Sequence, residues 1–107
     1  AQVIIVPAAF NMTTGPIHWE LMFRQRAVDN QVYTIGAAPA RDLNAVYHSW
    51  GHSIVADPWG KVLMEMDEKP GVKVVELELD EVKKVREQLP LLKHRRGDIY
   101  ALTTFSL

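Results

Sequence analysis

Val3, Ile4, Ile5 and Val6 are four apolar β-branched residues in a row, where a half-buried strand would alternate with polar positions. A continuous run of this kind predicts a strand covered on both faces, as in a parallel or mixed sheet. Pro7 lacks a ladder donor and ends the regular stretch. "FNMTTGP" (10–16) then reads as a loop, with Thr14 or Gly15 as cap and Pro16 at or near the first helical position. From about Ile17 to Asp29 the period becomes helical. Trp19, Phe23 and Ala27 form one apolar stripe, and Leu21 and Val28 widen it, so the helix is expected to be covered on more than one side. Glu20 precedes Arg24 by four residues, the favourable order for a helix ion pair.

"QVYTIGAAP" (31–39) predicts a second strand, and "ARDLNAVYHSWG" an exposed irregular loop. "HSIVADPWGKVLMEM" has the pattern of a hairpin turning at Asp57-Pro58-Trp59-Gly60. Lys69-Pro70-Gly71 marks another turn. In "VKVVELEL", Val75, Leu77 and Leu79 alternate with Glu76 and Glu78, which predicts a strand with one solvated face. Asp80 is the expected cap of a helix over about Glu81–Leu89, with Val82, Val85 and Leu89 inward and Pro90 as its stop. The tail from Leu91 to Leu107 has little periodicity and several large apolar residues, so it is expected to lie on another surface, within the chain or on a neighbour. The pattern amounts to one α/β unit of four or five strands and two helices.

Composition narrows the function classes. A length of 107 residues with 48% hydrophobic content suits one domain with a core. A net charge of −1 gives no electrostatic reason to expect nucleic acid or an anionic membrane as partner. There is no cysteine, hence no disulfide, no cysteinyl metal site and no thiol nucleophile within these residues. No apolar run approaches the roughly 18 residues that span a bilayer. The chain starts at Ala1 and is already in an apolar β run by Val3, which suggests a piece of something longer.

Candidate chemistry is sparse. His48 and His52 stand four apart, but a zinc site needs three or four ligands in defined geometry, so two polar residues around a strand start is the preferred reading. His18 is read as a capping or packing residue. Lys93-His94-Arg95-Arg96 is followed by Asp98 and Tyr100, which favours a salt-bridged tail or subunit contact over nucleic-acid binding. Arg24, Arg26 and Asp29 read as helix ion pairs. Neither a nucleophile elbow nor a glycine-rich phosphate loop is present.

Several segments, in order, do carry a resemblance. "PAAFNMTTGPIHWELMFRQRAVDNQVY", "APARD", "WGHSIVADPWGKVL" and "QLPLLKHRRGDIYAL" resemble the carboxy-terminal part of the nitrilase superfamily. The omega-amidase branch is nearest, with the deaminated-glutathione amidases next. The match runs from Val3 to about Ala101. It implies part of a four-layer α-β-β-α sandwich, and a Glu-Lys-Cys triad that hydrolyses a small carboxylate-bearing amide through a thioester. All three triad residues would lie upstream of Ala1, so no catalytic residue carries over and these residues alone are expected to be inactive. No metal or cofactor is implied.

On the same resemblance, Phe10, Asn11 and Met12 match positions that line the acyl pocket, with Thr13, Thr14 and Trp19 as neighbours. For Asn11, a loop-capping role stands level with a pocket role, because its amide can serve either. The resemblance further implies a small-molecule amide substrate, at least a dimer, and a cytoplasmic address. An amino-terminal portion or a complementary chain would complete the unit. The alternative is a non-catalytic nitrilase-like half that binds a complementary chain or dimerises.

Overall fold

The computed structural model describes residues 1–106. Its order is β1 (Val3–Pro7), a π-helical turn (Gly15–Trp19), α1 (Glu20–Asn30), β2 (Tyr33–Ala37), β3 (Ile54–Ala56), β4 (Val62–Glu65) and α2 (Asp80–Gln88). The strands form one mixed sheet in the order β1-β2-β3-β4. β1 and β2 are parallel, so the chain must cross over between them, and α1 is that crossover. β2 and β3 are antiparallel, joined by a long loop over 38–53. β3 and β4 form the expected hairpin, with an irregularity between Val55 and Ala56.

One face of the sheet holds the core. Thr34 donates its hydroxyl to the Phe23 carbonyl, and Gly36 lies so close under Phe23 that an added Cβ would come 2.6 Å from its ring. Trp19, Phe23 and Ile54 are the buried cluster there. Only a residue without a side chain at position 36 lets the helix approach this closely. The Trp19, Phe23, Ala27 stripe is therefore the inward face of α1. Leu21, expected to widen it, is instead 61% exposed, because the sheet underlies only one side of the helix.

The opposite face carries a second apolar row. Register places Ile5 beside Ile35, Ile35 beside Val55, and Val55 beside Met64, one residue from each strand. A groove of about 500 Å³ runs over this row under residues 71–77. Ile5 is 64% exposed, since β1 is the sheet edge and the covering segment does not reach it. Both faces of the sheet carry apolar residues, but β1, expected to be covered on both faces, is an edge strand whose Ile5, Val6 and Pro7 are exposed. A helix on one side and an apolar row on the other is the layout of one α-β half of a layered sandwich.

Further expectations need correction. "VKVVELEL" pairs with nothing: residues 72–78 lie across the sheet face instead of joining its edge, with Val75 and Leu77 half-buried and Val72 and Val74 exposed. Alternation there reflects one-sided burial, not a ladder. The first helix does not begin as an α-helix at Ile17; it opens with the wider turn over Gly15–Trp19. Asp80 falls inside α2, whose N-cap is Leu79 with no side-chain cap. Val82 and Val85 are buried as expected, but Leu89, expected inward, is the residue past the helix end and is 44% exposed.

α1 ends on Gln31, a left-handed residue (φ 51°) whose N–H bonds the Ala27 carbonyl. Its side-chain amide donates to the Leu89 carbonyl, and Arg86 donates to the carbonyls of Ala1 and Asn30, which ties α2 to the far end of α1. Beyond α2 the chain leaves the body. The described tail residues 91–106 are all exposed, Leu91 at 38% included. The radius of gyration is 16.4 Å, against about 13 Å for a compact chain of this length, and the tail and open sheet face account for the difference.

Candidate functional site

The sequence places its candidates in the loop that leaves β1, and the structure brings them together at one end of the sheet. Ala8 still bonds across to Ala37, and the chain then turns outward. Phe10 is half-buried and meets Trp19 edge to face at 5.0 Å; Trp19 in turn meets Phe23 at 4.7 Å. Trp19 is 1% exposed and donates its indole N–H to the His52 carbonyl at 2.6 Å. It supports Phe10 from behind and offers no surface of its own. The wide turn at Gly15–Trp19 lets this ring face the sheet while Pro16 begins the helix.

Asn11 uses its side-chain oxygen locally. Oδ1 accepts from the Thr13 N–H at 3.0 Å, the Thr14 N–H at 2.8 Å and the Thr14 hydroxyl at 3.0 Å. This is the capping geometry that sequence reasoning held level with a pocket role. It fixes the amide plane and points the NH2 end away from the bonded oxygen, on an exposed residue. Met12 is 42% exposed beside it, Thr13 is exposed, and Thr14 is half-buried. Phe10, Asn11, Met12 and Thr14 therefore form one projecting loop over a buried Trp19.

A second loop holds the first, and sequence reasoning did not single it out. Tyr47 donates its hydroxyl to the Ala9 carbonyl at 2.8 Å, and the Trp50 N–H bonds the Phe10 carbonyl at 2.7 Å. The Trp50 ring stacks on His52 at 4.2 Å with 16° between planes, and the Arg41 guanidinium carbon lies 5.4 Å from the Trp50 ring centre. Arg41 also donates to the carbonyls of Ser49 and Trp50. The available signal was the aromatic density of "VYHSWGH" within an otherwise polar loop.

His18, expected to cap or pack, is exposed on the Gly15–Trp19 turn, which has no side-chain cap; His48 and His52 bond locally. His52 sits at φ 63° with Nδ1 2.6 Å from the Trp50 carbonyl, and His48 Nε2 lies 3.2 Å from the Leu43 carbonyl. Among the described residues no three His, Cys, Asp or Glu side chains gather to hold a metal. Arg24 pairs with Glu20, and Arg26 with Asp29, as expected; Arg24 also donates to the Gly60 carbonyl at 2.7 Å. In the tail, Arg96 grips Asp98 through two N–H donors. That hydrogen bonding holds the Asp98 carboxyl below its usual range and raises Arg96. No helix among the described residues is long and apolar enough to cross a membrane.

This mixed sheet with a helix on one face and an aromatic-backed loop at its end belongs to a known class. The carbon-nitrogen hydrolase family profile matches residues 1–87. The chain therefore belongs to the carbon-nitrogen hydrolase family. It is 48% identical over 101 residues to omega-amidase NIT2 of Mus musculus and 50% identical over 100 residues to hydrolase C26A3.11 of Schizosaccharomyces pombe. Each alignment covers 94% of this chain, but 37% and 31% of those relatives respectively. Among solved structures, Saccharomyces cerevisiae Nit3, a member of branch 10 of the nitrilase superfamily, superposes with a TM-score of 0.84 at 48% identity. That superposition covers 90% of this chain and 35% of Nit3. The C. elegans NitFhit protein superposes at 0.88 with 40% identity, covering 94% and 24%. The nitrilase-like fold implied by the sequence resemblance is thus the fold of this chain, which spans about a third of the length of the relatives it matches.

Proposed function

We propose that this chain is the carboxy-terminal part of an amidase of omega-amidase type, which converts a small carboxylate-bearing amide to the acid and ammonia. The observation that carries the reading is the similarity to omega-amidase NIT2 across 94% of the chain, which includes the whole Phe10–Trp19 region. In this reading a Cys thiolate from outside these residues attacks the amide carbon. A Glu takes the thiol proton and delivers it to the departing nitrogen, and a Lys holds the oxyanion. Ammonia leaves, water adds to the thioester with the Glu as base, and the acid departs as the thiol reforms. Phe10, Asn11, Met12 and Thr14 line the acyl pocket, with Trp19 behind them. The Asn11 NH2 is the polar group free to meet a substrate oxygen, because its Oδ1 is already held by Thr13 and Thr14.

The Ile5 end of the apolar row, which residues 71–77 leave uncovered, fits an inner face of the four-layer sandwich, closed by a second sheet. The same row favours a second reading, in which the chain is a non-catalytic half that binds a complementary chain or dimerises. At least a dimer and a cytoplasmic address belong to the amidase proposal. Its test is ammonia release from α-ketoglutaramate by the full-length polypeptide, with and without a thiol alkylator. Alkylator-sensitive release supports the amidase, with residues 1–107 alone giving none. No release from the full-length polypeptide would leave the non-catalytic reading standing.

A further inference from the structure

The loop that carries Phe10, Asn11 and Met12 is attached at both ends to one residue. At its start, the Phe10 carbonyl accepts the Trp50 backbone N–H at 2.7 Å. At its end, Gly15 lies directly against the Trp50 side chain: a Cβ on Gly15 would fall 2.2 Å from Trp50 Cγ and 2.3 Å from its Cβ. Between these points the loop closes on itself through Gly15 N–H to the Asn11 carbonyl at 2.8 Å. The Trp50 indole is itself held, by the parallel His52 imidazole and by Arg41, which also bonds the Ser49 and Trp50 carbonyls. Tyr47 adds one bond to Ala9 from the same loop.

We propose that Trp50 is a positioning residue: it clamps both ends of the Phe10–Gly15 loop and so sets where the Asn11 amide and Met12 meet the acyl part of the substrate. The function served rests on the amidase reading; the clamp itself does not. A loop held at one end by the Trp50 backbone N–H and at the other against its stacked side chain keeps its polar tip in one place, and Trp50→Ala releases the second of these. A binding wall that is pre-organised in this way holds substrate and transition state alike. Loosening it acts on KM and leaves kcat, because the reacting carbon is held by other groups.

The test uses the full-length polypeptide and reads amide kinetics together with hydrogen exchange. Trp50→Ala is expected to raise KM for the amide about tenfold with kcat within about threefold. Trp50→Phe keeps Cβ and Cγ against Gly15 and a ring for His52, so it stays within about threefold of wild type in KM. Trp50→Leu keeps Cβ and Cγ against Gly15 but offers no ring to His52 or Arg41, so its KM should rise by an amount between those of the Phe and Ala variants. It carries the test should Trp50→Ala not fold, and a Trp50→Leu with wild-type KM and wild-type loop exchange overturns the clamp. In Trp50→Ala the Thr14 and Gly15 amides exchange faster than in wild type, while Ala27 within α1 does not change. Equal loop exchange in the two proteins overturns the clamp whatever the activity. So does a Trp50→Ala variant that lowers kcat at unchanged KM, or one that Phe does not rescue. If the wild type releases no ammonia from any amide, the amidase reading fails, and faster loop exchange in Trp50→Ala still supports the clamp.

Discussion

Truncating Trp19 is the most informative perturbation of the core beneath the candidate site. The side chain is 1% exposed, lies in edge contact with Phe10 at 5.0 Å and Phe23 at 4.7 Å, and donates to the His52 carbonyl at 2.6 Å. Replacing a buried aromatic by Ala costs roughly 3–5 kcal/mol through lost transfer energy and the cavity that remains. Stranding the partly buried His52 carbonyl adds about 1 kcal/mol. Trp19→Ala should therefore lose about 4–6 kcal/mol, a large share of the stability of an ordinary domain. Trp19→Phe keeps the ring edge towards Phe10 but loses the donor and part of the volume, so about 2 kcal/mol is expected. Urea titration of the full-length variants, followed by circular dichroism, gives both values from the shift in midpoint and the slope. A loss below about 1 kcal/mol for Trp19→Ala would show that the cluster does not anchor this end of the sheet. Equal losses for the two variants would assign the anchoring to the hydrogen bond instead of the ring.

Three further outcomes are expected. Glu20→Ala should change stability by less than about 0.5 kcal/mol, since its pair with Arg24 is exposed, whereas Arg24→Ala should cost about 1–2 kcal/mol through the lost bond to the Gly60 carbonyl; urea midpoints separate them. The Glu65 carboxyl is raised above its ordinary value by partial burial and by Glu20, partly opposed by His52. A raised acid binds more protons folded than unfolded, so its charge costs stability as pH rises past the ordinary carboxylate value. Glu65→Gln should accordingly stabilise at pH 7 and lose that advantage on acidification, and melting curves at pH 4 and 7 check the sign. Deleting residues 91–107 should leave α1 and α2 folded, because the tail beyond Leu91 touches little of the body, while weakening self-assembly; an unchanged mass in light scattering counts against the tail as an interface.

Elements built on local pattern were legible. The β3–β4 hairpin follows from its Asp57–Gly60 turn, and α1 from the four-residue spacing of Trp19, Phe23 and Ala27. What failed depended on partners that no local pattern names. Val72–Leu79 alternates as a strand does, yet it lies across a sheet face with only alternate residues pressed inward. Leu21 belongs to the helical stripe by spacing, but the underlying sheet extends to only one side of α1. The site divides in the same way. Phe10, Asn11 and Met12 were reached through resemblance, and the Asn11 cap through its residue type. Trp50, Tyr47 and Arg41 were missed because what gives them a role is contact across more than thirty residues with Ala9, Phe10 and Gly15, together with stacking inside their own loop.

Those long-range contacts also explain how the sheet end holds the Phe10–Gly15 loop. Two aromatic systems meet there: Phe10-Trp19-Phe23 packs into the core, and Trp50-His52 with Arg41 lies over the turn at Gly15. They join at His52, whose carbonyl accepts the Trp19 indole N–H while its ring stacks on Trp50. His52 holds the left-handed backbone, φ 63°, that lets one residue face both ways. A residue that bridges the two systems couples the core under Phe10 to the clamp over Gly15. Disturbing either system should therefore move the same stretch, Asn11 to Thr14. The contrast between variants makes this separable: Trp19→Phe should lower stability and shift the loop together, whereas Tyr47→Phe should shift the loop with almost no loss of stability, because its bond to Ala9 is at the surface.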